Sequence, residues 1–400
     1  MMKNPDMIES KQINRLYEFD MAKTIAIILM IWTHTYEYLS TGFFPSASYT
    51  VTYIIGSIWL ATTFMFCMGT GMAYTRHDSA EEFLHRGFNL LTIGFALLFF
   101  RETVPMLISW IFYPDFPDIQ GLILSVAADI LEFAGLAYIL VGLLKKCGIG
   151  RTGVLLISIF LSIAGTLLEG VQTGNYGIDQ FLGFFWGTYS ESYFPLFNWF
   201  IFVAAGQWFG EKYQDLKNKN RFHLISLLAG SAICVAYLFI SFNVEQDIFK
   251  GLTSELYLAH RPFADAFVCL PINVALISFL YFIGKIIPQK LMQLLTHPAR
   301  HINQYYCISW VIICVLAYDF CLLDLDTDSE VLCWGLIVLA LTILSVIIYN
   351  RYLQDSVVKF INRHRTFWTI FIWAVCIGSF IGALFAFDTH PNFINGYSIE

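Results

Sequence analysis

The sequence predicts an all-α fold: a polytopic membrane bundle of about 11 transmembrane helices, N-terminus cytoplasmic and C-terminus outside. Three observations predict it. Apolar runs of roughly 18–24 residues recur along the whole chain, each able to cross about 30 Å of hydrocarbon at 1.5 Å per residue. Only 13% of the 400 residues are charged and 57% are apolar, where soluble domains carry about 25% charged residues. Basic residues fall in every second gap between the runs, as the positive-inside rule requires. A mean hydropathy of +0.63 agrees. Together with a net charge of −7, this excludes a soluble enzyme, a disordered chain, a secreted disulfide scaffold and a nucleic-acid binder.

The first run, 22–40, follows a mixed polar stretch with no small-residue cleavage site after the run, so it is expected to remain a helix. Runs 51–75 and 87–110 come next. The third is interrupted by Arg101, Glu102 and Pro105, and reads either as a kinked helix or as a helix with a re-entrant piece. Runs 121–144, 152–169, 193–210, 222–242, 264–285, 303–322, 331–349 and 367–388 complete the set. They are continuous rather than alternating, which excludes an outer-membrane barrel. With this map every one of the 23 basic residues lies on the cytoplasmic side except Arg101, Lys250, Arg261 and Lys23, the last at the inner end of the first run. Adding or removing one run would break the alternation. The expected division is a cytoplasmic segment 1–21, a membrane domain 22–388 and an outer tail 389–400. The expected location is the inner (plasma) membrane. Most of the nine cysteines fall inside apolar runs and read as core thiols, without a CxxC pair or any zinc or other metal-ligand spacing.

Ionisable residues inside such runs are functional candidates by default. Lys23 and His34 lie eleven residues apart in the first run, about 16 Å along a helix. Lys23 is therefore near the inner surface, where it also reads as a snorkelling anchor, and His34 is in the outer half, where it also reads as a packing residue. Glu37 and Tyr38 share the face of His34, and a carboxylate beside an imidazole suits a general base. Asp129 and Glu132 fall about 12 and 16 Å below the outer end of the fourth run. They read as partners of His34, or as a brace or proton path. His260, Arg261 and Asp265 stand at the outer entrance of the eighth run, as acceptor ligands or as an exposed loop with a local ion pair. Glu191 is a similar candidate at the outer end of the sixth.

The stretch RLYEFDMAKTIAIILMIWTH resembles the first catalytic helix of the heparan-α-glucosaminide N-acetyltransferase-like family, which is related to acyltransferase family 3. That pattern has an Asp, Arg-Gly three residues later, an apolar run, and a His or Asn eleven residues after the Arg. Asp20 and His34 fit; Lys23-Thr24 stand in place of Arg-Gly, keeping the charge without the planar fork. FMFCMGTGMAY with HRGFNLLTIG, DILEFAGLAYIL, and YFPLFNWFIFVAAGQWFGEKY resemble later helices of the family, over roughly 15–145 and 193–213.

The resemblance implies an acyltransferase, acetyl in the first instance, that takes acyl-CoA from the cytoplasm and modifies a sugar or glycan at the outer face. His34 would be base or acyl relay, with Asp129 and Glu37 beside it. Lys23, Arg76 and Arg86 would hold the CoA phosphates, and His260, Arg261, Glu132 and Glu191 the acceptor. A homodimer in the bilayer is compatible with it. The alternative is a proton-coupled transporter or flippase of a glycan or lipid-linked substrate, for which His34, Asp129 and Glu132 would line the path; no internal repeat supports it.

Overall fold

The computed structural model describes residues 16–40, 47–112, 126–188, 192–243, 260–320, 322 and 325–386. Among these the regular structure is helical, with one isolated parallel bridge between Ser40 and Leu325. In chain order the helices are α1 (Tyr17–Leu39), α2 (Ala47–Ile55), α3 (Ala61–Tyr74), α4 (Ala80–Leu98), α5 (Val104–Phe112), α6 (Ile130–Lys146), α7 (Arg151–Leu167), α8 (Tyr176–Leu182), α9 (Leu196–Gln214), α10 (Lys219–Asn243), α11 (Phe263–Gly284), α12 (Gln289–Leu295), α13 (His297–Arg300), α14 (Ile302–Cys314), α15 (Asp328–Ile348), α16 (Gln354–Arg363) and α17 (Arg365–Ala386). Wider π turns occupy Gly56–Leu60, Phe99–Thr103, Val315–Asp319 and Tyr349–Leu353.

Each predicted run contains a helix. By length and composition, Ala80–Thr103, Lys219–Ser241, Phe263–Gly284, Asp328–Arg363 and Arg365–Phe385 suffice to cross a membrane, and Ile58–Tyr74, Arg151–Leu167 and Ile302–Ala317 are shorter apolar helices. The protein is a multi-pass helical membrane protein.

Local chemistry explains where the helices depart from the predicted bounds. α4 begins at Ala80 because Ser79 and Glu82 form a capping box that satisfies its first N–H groups. The Arg101–Glu102 interruption does not end that helix. It forms the π turn Phe99–Thr103, just ahead of Pro105, and a proline clashes with the carbonyl four residues back. The kinked reading of the third run is therefore the observed one. The fourth helix does not start at 121: it begins at Ile130, with Asp129 as its N-cap, and 113–125 lie outside the described residues. Thr327 and Glu330 cap α15 in the same way as α4, and that helix runs on through a π turn into α16, which buries none of its residues.

α1 is central, packing on α3, α11, α14 and α15. α3 and α9 lie close because both present glycine. A Cβ at Gly69 would overlap the Val203 carbonyl oxygen, and one at Gly206 would overlap that of Phe66. α4 and α6 meet through Gly87 and Gly135, where a Cβ on Gly87 would stand 2.6 Å from the Gly135 carbonyl oxygen. Small residues let helix backbones approach where lipid offers no hydrophobic drive for association. The opposite condition holds on α7, where Leu156, Phe160 and Leu167 are exposed, as a lipid-facing stripe must be. Cys67, Cys269, Cys314 and Cys376 are core thiols as expected, but Cys147 and Cys333 are exposed.

Two of the basic residues assigned to the outer side, Arg101 and Arg261, are not loop charges. They are 3% and 0% exposed. Of the outer exceptions only Lys250 remains, and it lies outside the described residues. The glycine contacts make a direct stability prediction. Gly69→Val should destabilise the solubilised protein by at least about 1–3 kcal/mol, the usual cost of overpacking, because the obstructing atom is backbone. A thermal-unfolding midpoint equal to that of the unaltered protein would show that α3 and α9 are not packed this closely.

Candidate active site

The outer half of α1 presents His34, Glu37 and Tyr38 on one face, as their i, i+3, i+4 spacing dictates. His34 Nδ1 lies 2.9 Å from Glu37 Oε2. The His34 ring packs on Trp310 of α14 with centroids 4.1 Å apart, and Tyr38 meets the same indole edge-on at 4.9 Å. Trp310 is buried and also carries the Arg101 guanidinium, 4.0 Å from its ring centroid. Tryptophan is the best aromatic partner for a cation.

Arg101 anchors a buried polar cluster. Its Nε donates to Glu102 at 2.7 Å and its Nη1 to Asp129 Oδ2 at 3.0 Å. The Tyr306 hydroxyl donates to the same Asp129 oxygen at 3.2 Å, and the other accepts the Ile130 N–H at 2.6 Å. Asp129 thus serves three elements at once: the π turn, the start of α6, and α14. The expected pairing of Asp129 with His34 is corrected. The carboxylate is occupied by Arg101 and Tyr306, and it reaches the histidine only through Arg101 and Trp310. Glu132, one turn into α6, is 1% exposed. Its carboxylate oxygens have no hydrogen-bond partner, and a Cβ at Gly94 would overlap one of them.

Below this cluster is a narrow cavity of about 30 Å³, lined on α1 by Ala26, Ile27 and Met30, and closed by Ala61, Phe64, Leu131 and Tyr306 among others. Met30 is one helical turn before His34, and Tyr306 one turn before Trp310, so the cavity ends one turn short of the His34–Trp310 contact.

The other candidates are placed differently. Lys23 pairs with Asp20 at 3.6 Å. Arg76 is exposed, and Arg86 is half-buried with Nη1 3.4 Å from Thr75 Oγ1; neither these two nor Lys23 lines the cavity below His34. His260 and Arg261 do not form an exposed entrance: they are 2% and 0% exposed. Asn198 Nδ2 donates to both of their carbonyl oxygens at 3.3 and 3.2 Å. Arg261 Nη1 contacts Cys269 Sγ at 3.3 Å, and Asp265 accepts from Tyr237 at 2.9 Å. Glu191 lies outside the described residues. Sequence reasoning missed Arg101, Trp310 and Tyr306 as site residues. Arg101 did carry a signal, the interruption of an apolar run, whereas an aromatic in an apolar helix carries none.

A multi-pass helical bundle holding a histidine–carboxylate pair over an internal cavity is the frame of a membrane enzyme. Residues 15–242, more than half of the chain, match the family "Heparan-alpha-glucosaminide N-acetyltransferase, catalytic", and the chain belongs to that family of acetyltransferases. The match runs beyond the segments whose motifs carried the resemblance, through α7, α8 and α10. No curated protein and no solved structure matches the chain.

Removing Arg101 tests the cluster. Arg101→Leu leaves Asp129 buried without its cation and should cost roughly 3–5 kcal/mol of stability. The double variant R101L/D129L should recover part of that loss. If the double variant is no more stable than R101L, the Arg101–Asp129 pair is not what holds these elements together.

Proposed function

We propose that this protein transfers an acetyl group from acetyl-CoA, or another acyl-CoA, to an amine or hydroxyl of a sugar or glycan across the membrane, with His34 as the base. The observation that carries this reading is the His34–Glu37 pair seated one turn beyond the internal cavity. The carboxylate on Nδ1 sets the tautomer: Nδ1–H donates to Glu37, and Nε2 keeps its lone pair. As the acceptor attacks the thioester carbonyl, Nε2 takes the proton from its N–H or O–H. The carbon–sulfur bond breaks, and the proton passes to the departing CoA thiolate. Glu37 orients the ring and stabilises the imidazolium. Trp310 fixes the ring plane, and Asp129 acts one step removed, by holding Arg101 against Trp310.

The basic end of the bundle is taken as cytoplasmic, in the plasma membrane, and Lys23, Arg76 and Arg86 supply positive charge for the donor phosphates there. The acceptor approaches from the opposite end. Contacts from His260, Arg261 and Glu132 to the acceptor would require that end to open, since all three are buried.

The test is acetyl transfer by purified protein in lipid nanodiscs. His34→Ala should lower kcat by about 10²–10⁴-fold, the range of general-base catalysis. Glu37→Gln and Trp310→Leu, which only position the ring, should lower kcat by less and leave KM for the donor nearly unchanged. Full transfer activity in His34→Ala would sink the assignment. A rise in KM alone would make His34 a binding residue.

A further inference from the structure

A second cavity, of about 600 Å³, lies at the other end of α6, against α7 and α9. That volume is within the range of small-molecule sites. Its floor is the turn 147–150 between α6 and α7, where Gly148 takes φ +77°, a conformation glycine adopts without strain. Gly150 is the N-cap of α7 and offers no side chain to cap it. The first-turn N–H groups of Arg151, Thr152 and Gly153 therefore face the cavity without a side-chain acceptor, the arrangement that favours a phosphate. Arg151 stands beside them, steadied by Glu211 at 3.3 Å and Asp78 at 3.7 Å, and Lys145 is steadied by Asp78 at 2.8 Å.

An independent observation comes from α9. Gln207 lines the same cavity, is 3% exposed, and its Oε1 has no hydrogen-bond partner. A buried amide oxygen without a donor costs about 1–3 kcal/mol, and a ligand N–H would relieve that cost. The remaining walls include Val141, Ile149 and Val154, apolar surfaces suited to a flat ring. The cavity thus offers anion-binding backbone at one place, a hydrogen-bond acceptor at another, and apolar walls between. A phosphate alone or a small headgroup would leave most of it empty.

We propose that this cavity binds the adenine nucleotide portion of the acyl-CoA donor, with a phosphate on the α7 N-terminus and Arg151 and the purine amino group on Gln207 Oε1. The proposal rests on the acyl-CoA reading above. Val141 here and Leu131 at the cavity below His34 are both on α6, ten residues or about 15 Å apart. A pantetheine arm is a chain of comparable reach.

The test uses full-length protein in phosphatidylcholine nanodiscs, titrated with CoA, with 3′,5′-ADP and with pantetheine, alongside transfer assays from acetyl-CoA and acetyl-pantetheine. CoA and 3′,5′-ADP should bind and compete. Gln207→Leu and Arg151→Gln, each checked for an unchanged unfolding midpoint, should weaken both ligands at least about tenfold, or about 1.4 kcal/mol. Both should raise KM for acetyl-CoA without changing transfer from acetyl-pantetheine. His34→Ala should leave 3′,5′-ADP binding intact. If 3′,5′-ADP does not bind, or both variants bind CoA as tightly as the unaltered protein, the nucleotide site is wrong even where transfer proceeds. If 3′,5′-ADP binds through Gln207 but no acetyl transfer occurs with any acceptor, the acyl-CoA reading fails and the cavity remains a nucleotide site. Displacement of 3′,5′-ADP by phosphatidylethanolamine nanodiscs in a Gln207-dependent way would make the occupant a lipid headgroup and overturn the proposal.

Discussion

A guanidinium in the interior of an apolar helix bundle dictates its surroundings. Placing arginine at the centre of a membrane helix costs about 2.5–3.5 kcal/mol on insertion scales and far more in isolation. Arg101 is 3% exposed, and the structure offsets that cost with two carboxylates and an indole. Those partners come from different parts of the chain: Glu102 from the same π turn, Asp129 from the start of α6, and Trp310 from α14. Satisfying one charge therefore fixes the relative placement of three elements. His34 reaches the cluster last, by packing on the tryptophan that the arginine already holds.

The same economy explains the π turn. A regular α-helix through Phe99–Thr103 would meet Pro105 with a clash at the Arg101 carbonyl. The wider turn absorbs the proline and sets both Arg101 and Glu102 inward, where each is buried. Glycine contacts do the complementary work where no charge acts. Gly69 and Gly206 bring α3 and α9 to backbone contact, and Gly87 and Gly135 do so for α4 and α6. α6 is thereby held at both ends, by Asp129 at its start and by packing on α4 along its length.

What the sequence revealed follows from which forces are local. Hydropathy located the helices because crossing hydrocarbon is a property of each run alone. The spacing of His34, Glu37 and Tyr38 predicted a shared face because helical geometry is local too. Asp129 was legible as an intramembrane carboxylate but was given the wrong partner. Its true partner, Arg101, is 28 residues earlier in the chain, and only the tertiary fold distinguishes it from an outer-loop charge. Arg261 shows the same limit. In sequence it stands beside a loop, and in the structure it is enclosed by Trp199 and Cys269. Trp310 and Tyr306 were invisible for the opposite reason: an aromatic in an apolar helix is expected whether it packs against lipid or against a site.

The buried ion pair also bears on the choice between an enzyme and a carrier. Alternating access requires helices to slide or rock past one another around a substrate path. In this bundle the residues that such a path would use are tied down. Asp129 is engaged by Arg101, Tyr306 and the Ile130 N–H, and His34 by Glu37 and Trp310. Separating the arginine from its carboxylate would cost roughly 3–5 kcal/mol, a cost that a carrier would meet twice in each cycle. A catalyst has the opposite requirement, because its base must already be oriented when the substrate arrives. A histidine fixed by a carboxylate on one nitrogen and an indole against its ring, with its other nitrogen free to accept a proton, meets that requirement without moving the helices that hold it.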